Sequence, residues 1–140
     1  MLELDSHANT CVLGSSALII QDHGRPINVL SCNPALVNRT YQTLSGVIVY
    51  YRPITAQTYH MVIRQLISIP HIEHHLLCPI QSCVNDVTIN EIPKFLASNP
   101  TNETHSIIVT DPDDPAQQLV FPLAICGVTT HLPTQPIKKE

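Results

Sequence analysis

Hydrophobic positions along the chain come in short runs cut by turn residues. Leu2–Leu4 is the first, and Cys11-Val12-Leu13 returns to apolar sequence after a polar stretch. Ala17–Gln21 follows the Gly14-Ser15-Ser16 break, and Ile27–Ser31 lies between Pro26 and Asn33-Pro34. Gly46–Arg52 is rich in Val, Ile and Tyr. Thr58–Arg64 alternates, with Tyr59, Met61 and Ile63 on one face and His60 and Val62 on the other, the period of a half-buried strand. Leu66–Ile69, Val87–Ile92, His105–Thr110 and Gln118–Ile125 complete the series. Strands this short and this evenly spaced predict an all-β barrel or sandwich.

The breaks between runs carry their own signals. Gly46–Arg52 and Thr58–Arg64 flank Pro53-Ile54-Thr55-Ala56, which predicts a hairpin with a four-residue loop. Asp111-Pro112-Asp113-Asp114-Pro115 predicts a turn between two strands. Helix signals are sparse, because Pro and β-branched residues punctuate nearly every window. Pro79–Val84 and Ile92–Ala97 are the two short candidates, the second with Pro93 in its first turn. One domain over residues 1–132 is expected, with 133–140 a flexible tail or linker.

Composition narrows the class. The 140 residues hold 7 basic and 11 acidic side chains, a net charge of −4 with His neutral. Charged residues are 13% of the chain, about half the share in an average soluble domain. Apolar residues make up 44%, enough for a core, while 12 Pro and 4 Gly exclude collagen-like and coiled-coil sequence. Beyond Lys138-Lys139 there is no basic cluster, so direct nucleic-acid binding is not expected. The apolar run Leu119–Val128 is interrupted by Pro122 and is too short for a spanning helix. Met1-Leu2-Glu3-Leu4-Asp5 carries acids where a signal peptide carries bases, so a cytoplasmic setting is expected. Cys11, Cys32, Cys78, Cys83 and Cys126 are odd in number and widely spread, and are read as free buried thiols.

Candidate chemistry centres on Leu4-Asp5-Ser6-His7-Ala8-Asn9-Thr10-Cys11-Val12-Leu13. An apolar strand delivers an Asp, followed by Ser, a small residue, polar residues and a second apolar run. Taken alone, Asp-Ser is common turn chemistry. The segment resembles the active-site loop of retroviral-type aspartic proteases, and more closely that of copia-type retrotransposon polyproteins. In those the loop is commonly Leu-Asp-Ser-Gly-Ala, with Leu-Asp-Ser-His-Ala in some lineages. A second match is Leu66-Ile67-Ser68-Ile69-Pro70 followed by His74-His75-Leu76-Leu77-Cys78-Pro79-Ile80-Gln81, similar to the family's strand, Pro and apolar pair entering a short helix. A third, from His105–Thr110 through Pro133-Thr134, is similar to the tail of the His-containing lineage.

The resemblance implies a retropepsin-like barrel with a flap hairpin and one or two short helices. It implies an aspartic endopeptidase acting on its own polyprotein, in a virus-like particle if the element is active. Such an enzyme needs two carboxylates sharing one proton. A single Asp motif supplies one, so the resemblance implies a homodimer with Asp5 from each copy on the two-fold axis. It casts Ser6 as a tie between the two loops, Ala8 as room beside the dyad, and Asn9 as a loop or substrate contact. Leu76-Leu77 would pack beneath the loop. Tyr51, Arg52, Pro53, Ile54 and Thr55 would form the flap tip. No cofactor is implied.

Two positions depart from the family. His7 stands where Gly is usual, so that a Cβ and an imidazole occupy space beside the dyad. Cys78 stands where retroviral proteases carry Gly after the apolar pair. These departures, and the short strand before Asp5, leave open a polyprotein fragment or a copy that folds without activity. A separate reading is a zinc module from His71, His74, His75, Cys78 and Cys83, whose ligand types suit the metal although the Cys-x2-Cys knuckle is absent. Phosphate-loop, His-Glu-x2-His and Gly-x-Ser-x-Gly motifs are absent.

Overall fold

A computed structural model describes residues 1–30, 33–35 and 37–137 of the chain. It is mostly β. In chain order the strands are β1 (Leu2–Leu4), β2 (Cys11–Leu13), β3 (Leu18–Val29), β4 (Arg39–Arg52), β5 (Gln57–Ser68), β6 (His75–Leu77), β7 (Val87–Asn90), β8 (Ser106–Thr110), β9 (Gln118–Pro122), β10 (Ala124–Cys126) and β11 (Thr129–Leu132). One short helix, α1 (Pro79–Cys83), follows β6, and a 3-10 turn spans Lys94–Leu96. No described helix is long and apolar enough to cross a membrane.

The chain divides into two compact units, each assembled from two segments, where the sequence suggested one domain with a tail. The loop unit comprises Met1–Asn9 and Leu76–Pro133; the hairpin unit comprises Thr10–His75 and the segment from Thr134 onward.

In the hairpin unit the strand order is β2-β5-β4-β3. β2 runs parallel to β5, pairing Cys11 with Leu66 and Leu13 with Ser68. β4 and β5 form the predicted hairpin, closed by Arg52 opposite Gln57 with Pro53–Ala56 as the loop. Ala56 takes the left-handed conformation there, φ 52°. Tyr59, Met61 and Ile63 are half-buried while His60 and Val62 are exposed, as the alternation predicted. The core of this unit is aliphatic: Val12, Leu13, Ile48, Leu66 and Ile67 are buried with Tyr50.

Two strands are longer than the hydrophobic runs that announced them. Thr58–Arg64 and Leu66–Ser68 belong to one strand, β5, because a bulge absorbs the break; Ile69 lies just beyond it. Two residues of β5, Arg64 and Gln65, face the single Ser45 of β4, and Gln65 adopts φ 56°. Leu18–Gln21 and Ile27–Val29, from two other runs, likewise merge into β3; Ala17 and Leu30 flank the strand, and Ser31 lies outside the described residues. Gly24 (φ 66°) and an Asp22 Oδ1 that accepts the Gly24 N–H at 2.8 Å shape the irregularity between them. Pro26 is tolerated because β3 is an outer strand, so its missing N–H costs no second ladder.

In the loop unit the order is β10-β11-β1-β6, beside a three-stranded sheet β7-β8-β9. Leu2 and Leu132 face each other across β1 and β11 and are fully buried. Ile107, Ile108 and Phe121 fill the three-stranded sheet. The Asp111–Pro115 turn joins β8 to β9; Asp111 Oδ1 accepts the Asp113 N–H at 2.9 Å. The Gln118–Ile125 run splits at Leu123, whose N–H bonds the His105 carbonyl at 2.9 Å. Of the helix candidates, Pro79–Val84 forms α1 with Val84 as its cap, and Ile92–Ala97 tightens to the 3-10 turn after Pro93.

Two backbone hydrogen bonds reach the segment after Pro133: Gln135 N–H bonds the Val49 carbonyl at 2.8 Å and Ile137 N–H bonds the Ser16 carbonyl at 3.4 Å. Lys138, Lys139 and Glu140 lie outside the described residues. The thiols are not uniformly buried: Cys11 and Cys78 are, Cys83 and Cys126 are exposed, and Cys32 lies outside the described residues.

Glycine is required where backbones meet. A Cβ on Gly14 would stand 2.3 Å from the Ile72 carbonyl oxygen, a backbone atom that cannot swing away. Gly14→Ala is therefore expected to destabilise the protein by about 1–3 kcal/mol in denaturant unfolding. Ala56→Gly, which relieves a left-handed alanine, is expected to be neutral or stabilising. Equal stability of Gly14→Ala and wild type would contradict the close approach.

Candidate functional site

The Asp5 loop is built from the strand that enters it. Leu2 and Leu4 point into the core of the loop unit, and β1 ends where Asp5 begins. The Asp5 N–H donates to the Leu77 carbonyl at 3.1 Å. Three residues on, the Ala8 N–H donates to the Asp5 carbonyl at 3.1 Å and closes a turn. The Asp5 carboxylate folds back over this turn, its Oδ1 accepting the His7 N–H at 3.0 Å. Short polar side chains favour such turns because they can satisfy nearby backbone donors.

The predicted loop residues Asp5, Ser6, His7, Ala8 and Asn9 thus lie in one turn segment. Asp5 and Ala8 are half-buried; Ser6, His7 and Asn9 are exposed. His7 keeps its N–H on the carboxylate, and its exposed position accommodates a Cβ. Leu77 is buried and Leu76 half-buried, and the Leu77 carbonyl is the group that reaches the loop.

Cys78, the next residue, caps α1. Its Sγ accepts the Gln81 N–H at 3.4 Å and its carbonyl accepts the Ser82 N–H at 3.1 Å. Pro79 then occupies the first helical position, where no N–H is needed. The thiol also donates to the Ala8 carbonyl at 3.0 Å. In the sequence Cys78 stands out only as a difference from the retroviral-type pattern, because nothing in residue spacing announces a contact to residue 8.

The predicted flap residues form the end of the β4/β5 hairpin. Tyr51, Pro53, Ile54 and Thr55 are exposed, Ile54 at 95%. Arg52 is half-buried, with its guanidinium 5.3 Å from the centroid of the Tyr59 ring. Tyr59 in turn donates its hydroxyl to Gln57 Oε1 at 2.8 Å and lies 6.3 Å, centroid to centroid, from Tyr50. These contacts stiffen the hairpin stem next to the four-residue tip.

The zinc alternative is not assembled. Among the described residues no group of three or more His, Cys, Asp or Glu side chains is arranged to hold a metal ion. His71, His74 and Cys83 are exposed. His75 is 1% exposed, and both its ring nitrogens are engaged. Gly14 N–H donates to its Nδ1 at 3.0 Å, and Nε2 lies 3.0 Å from the Ser16 hydroxyl. Because Nδ1 accepts, the neutral ring carries its proton on Nε2 and donates to Ser16. His75 is therefore a side-chain tie for the turn after β2.

No family model matches the sequence, no curated protein matches it, and no solved structure matches its fold.

Burial and the neighbouring His74 push the His75 pKa down to about 4. The unfolded chain takes up this proton near pH 6.5 and the folded chain near 4, so the neutral ring contributes stability that is complete above pH 6.5. That contribution falls away as the pH drops through this window, by up to about 3 kcal/mol. An imidazole titration followed by NMR is expected to show His75 unprotonated at pH 5.5. Titration near pH 6.5, with stability flat across the window, would contradict the tie.

Proposed function

We propose that this chain is the aspartic endopeptidase domain of a copia-type retrotransposon polyprotein, with a retropepsin-like fold. The observation that carries the reading is the Asp5 carboxylate held by the His7 N–H in a turn braced by the Leu77 carbonyl. It is supported by the order of the motifs along the chain: Asp-Ser-His-Ala after an apolar strand, a β-hairpin, then an apolar pair entering a short helix. The mostly β architecture agrees with an all-β fold.

In this reading two copies each contribute Asp5, and the pair shares one proton. The ionised carboxylate takes a proton from a water as that water attacks the scissile carbonyl. The protonated carboxylate donates its proton to the carbonyl oxygen, giving a tetrahedral intermediate. Return of a proton to the amine nitrogen releases the two peptide products. The Oδ1–His7 hydrogen bond fixes the rotation of each carboxylate, so no reorganisation is needed when water binds. The β4/β5 hairpin serves as the flap over an extended polypeptide, and the natural substrate is the polyprotein itself.

A second reading keeps the family and drops the chemistry. His7 favours it, because an imidazole replaces the hydrogen of glycine beside the reacting groups. The two readings separate in one assay. Hydrolysis of an unfolded protein substrate is followed between pH 4 and 7 over a range of enzyme concentrations, with folding checked at each pH. The protease reading predicts rates that rise faster than linearly with concentration and fall by at least about 1,000-fold in Asp5→Asn. No hydrolysis by a chain shown to be dimeric favours the inactive reading, and hydrolysis that survives Asp5→Asn overturns the assignment of Asp5.

A further inference from the structure

We propose that Cys78 is a positioning residue for the Asp5 carboxylate, acting through its thiol on the Ala8 carbonyl; its catalytic consequence rests on the protease reading above. Two consecutive residues grip the loop at two points. The Leu77 carbonyl takes the Asp5 N–H at 3.1 Å, and the Cys78 thiol donates to the Ala8 carbonyl at 3.0 Å. Asp5 and Ala8 are also joined to each other, Ala8 N–H to Asp5 carbonyl at 3.1 Å. The turn is thereby closed on itself and anchored at each end, and the carboxylate oxygen that faces His7 N–H inherits that geometry.

The thiol is itself fixed. Cys78 is 1% exposed. Its sulfur accepts from Gln81 N–H at 3.4 Å, and its carbonyl takes both the Ser82 N–H at 3.1 Å and the Ser82 hydroxyl at 3.0 Å. A thiol is a weak donor and a weak acceptor, and both capacities are used here. Cys78 thus links the start of α1 to the Asp5 turn, and it does so in a chain whose loop carries His7 instead of the more pliable glycine.

The test compares wild type with Cys78→Ala, which removes the donor, and Cys78→Ser, which restores one. Backbone amide exchange is read at His7 and Ala8 against Ile107 and Ile108 in β8. Kinetics on a peptide substrate are read alongside. Cys78→Ala is expected to speed exchange at His7 and Ala8 by about tenfold with β8 unchanged, and to lower kcat by about tenfold at constant KM. Cys78→Ser is expected to recover most of both effects. If Cys78→Ala does not fold, Cys78→Val fills the space without donating and must show the same local loss. Unchanged loop exchange in Cys78→Ala, equal impairment in Cys78→Ser, or a loop effect with no change in kcat would overturn the proposal. If wild type hydrolyses nothing, the protease reading fails on its own, and the exchange comparison still decides whether the thiol holds the loop.

Discussion

Main-chain pairing is the constraint on which the rest of this structure depends. With 13% charged residues, two Phe and no Trp, the chain has few side chains that can carry long-range polar contacts or large aromatic packing. Its buried side chains are mainly aliphatic, such as Leu13, Leu66 and Ile67 in one unit and Leu2, Leu132 and Ile107 in the other. Ladders that long have to break somewhere, and each break must satisfy buried backbone groups. The bulge at Gln65 and the left-handed Gly24 break the ladder at exposed positions, and the His75 ring takes the buried Gly14 N–H. Each uses a local polar group or a permissive backbone rather than a charge pair.

The candidate site answers the same constraint. A buried strand cannot stop at Asp5 unless its next donors find partners. Leu77 supplies one, the Asp5 carbonyl and carboxylate supply two more, and the Cys78 thiol answers the Ala8 carbonyl. The same bonds that end the strand therefore fix the carboxylate. Stability and chemistry are not separable here, because a change that loosens the turn also frees the group proposed to activate water. One chain offers one such carboxylate, and the proposed chemistry asks for a second of the same kind.

Much of this was legible in the residues. The alternation of Tyr59, Met61 and Ile63 marked a half-buried strand, Pro53–Ala56 marked the hairpin loop, and Pro79 marked the start of α1. Strand lengths were not legible, because the hydrophobic runs stop at Gln21 and Arg64 and resume at Ile27 and Leu66, while tertiary pairing carries the sheet across both gaps with shifts of register. The division into two units was hidden as well, since each unit joins segments far apart in sequence. At the site, Asp5 through Asn9 could be picked out by local pattern. The roles of His75 and Cys78 could not. Both act on residues some sixty to seventy positions away, Gly14 and Ala8, and no spacing rule reports such a contact. The zinc pattern rested on closeness in sequence alone: His75 and Cys78 are buried and bonded to Gly14 and Ala8, while His71, His74 and Cys83 are exposed.

In the proposed protease two copies of Asp5 act as one group, and subunit mixing tests that pairing. Wild-type and Asp5→Asn chains are unfolded together, refolded at varied ratios and fixed total concentration, and assayed for peptide hydrolysis. If the carboxylates act as a pair, a mixed dimer is inactive and the rate follows the square of the wild-type fraction, about a quarter of full activity at an equal mixture. A rate proportional to the wild-type fraction, about half at an equal mixture, would mean that each copy works alone and would contradict the account.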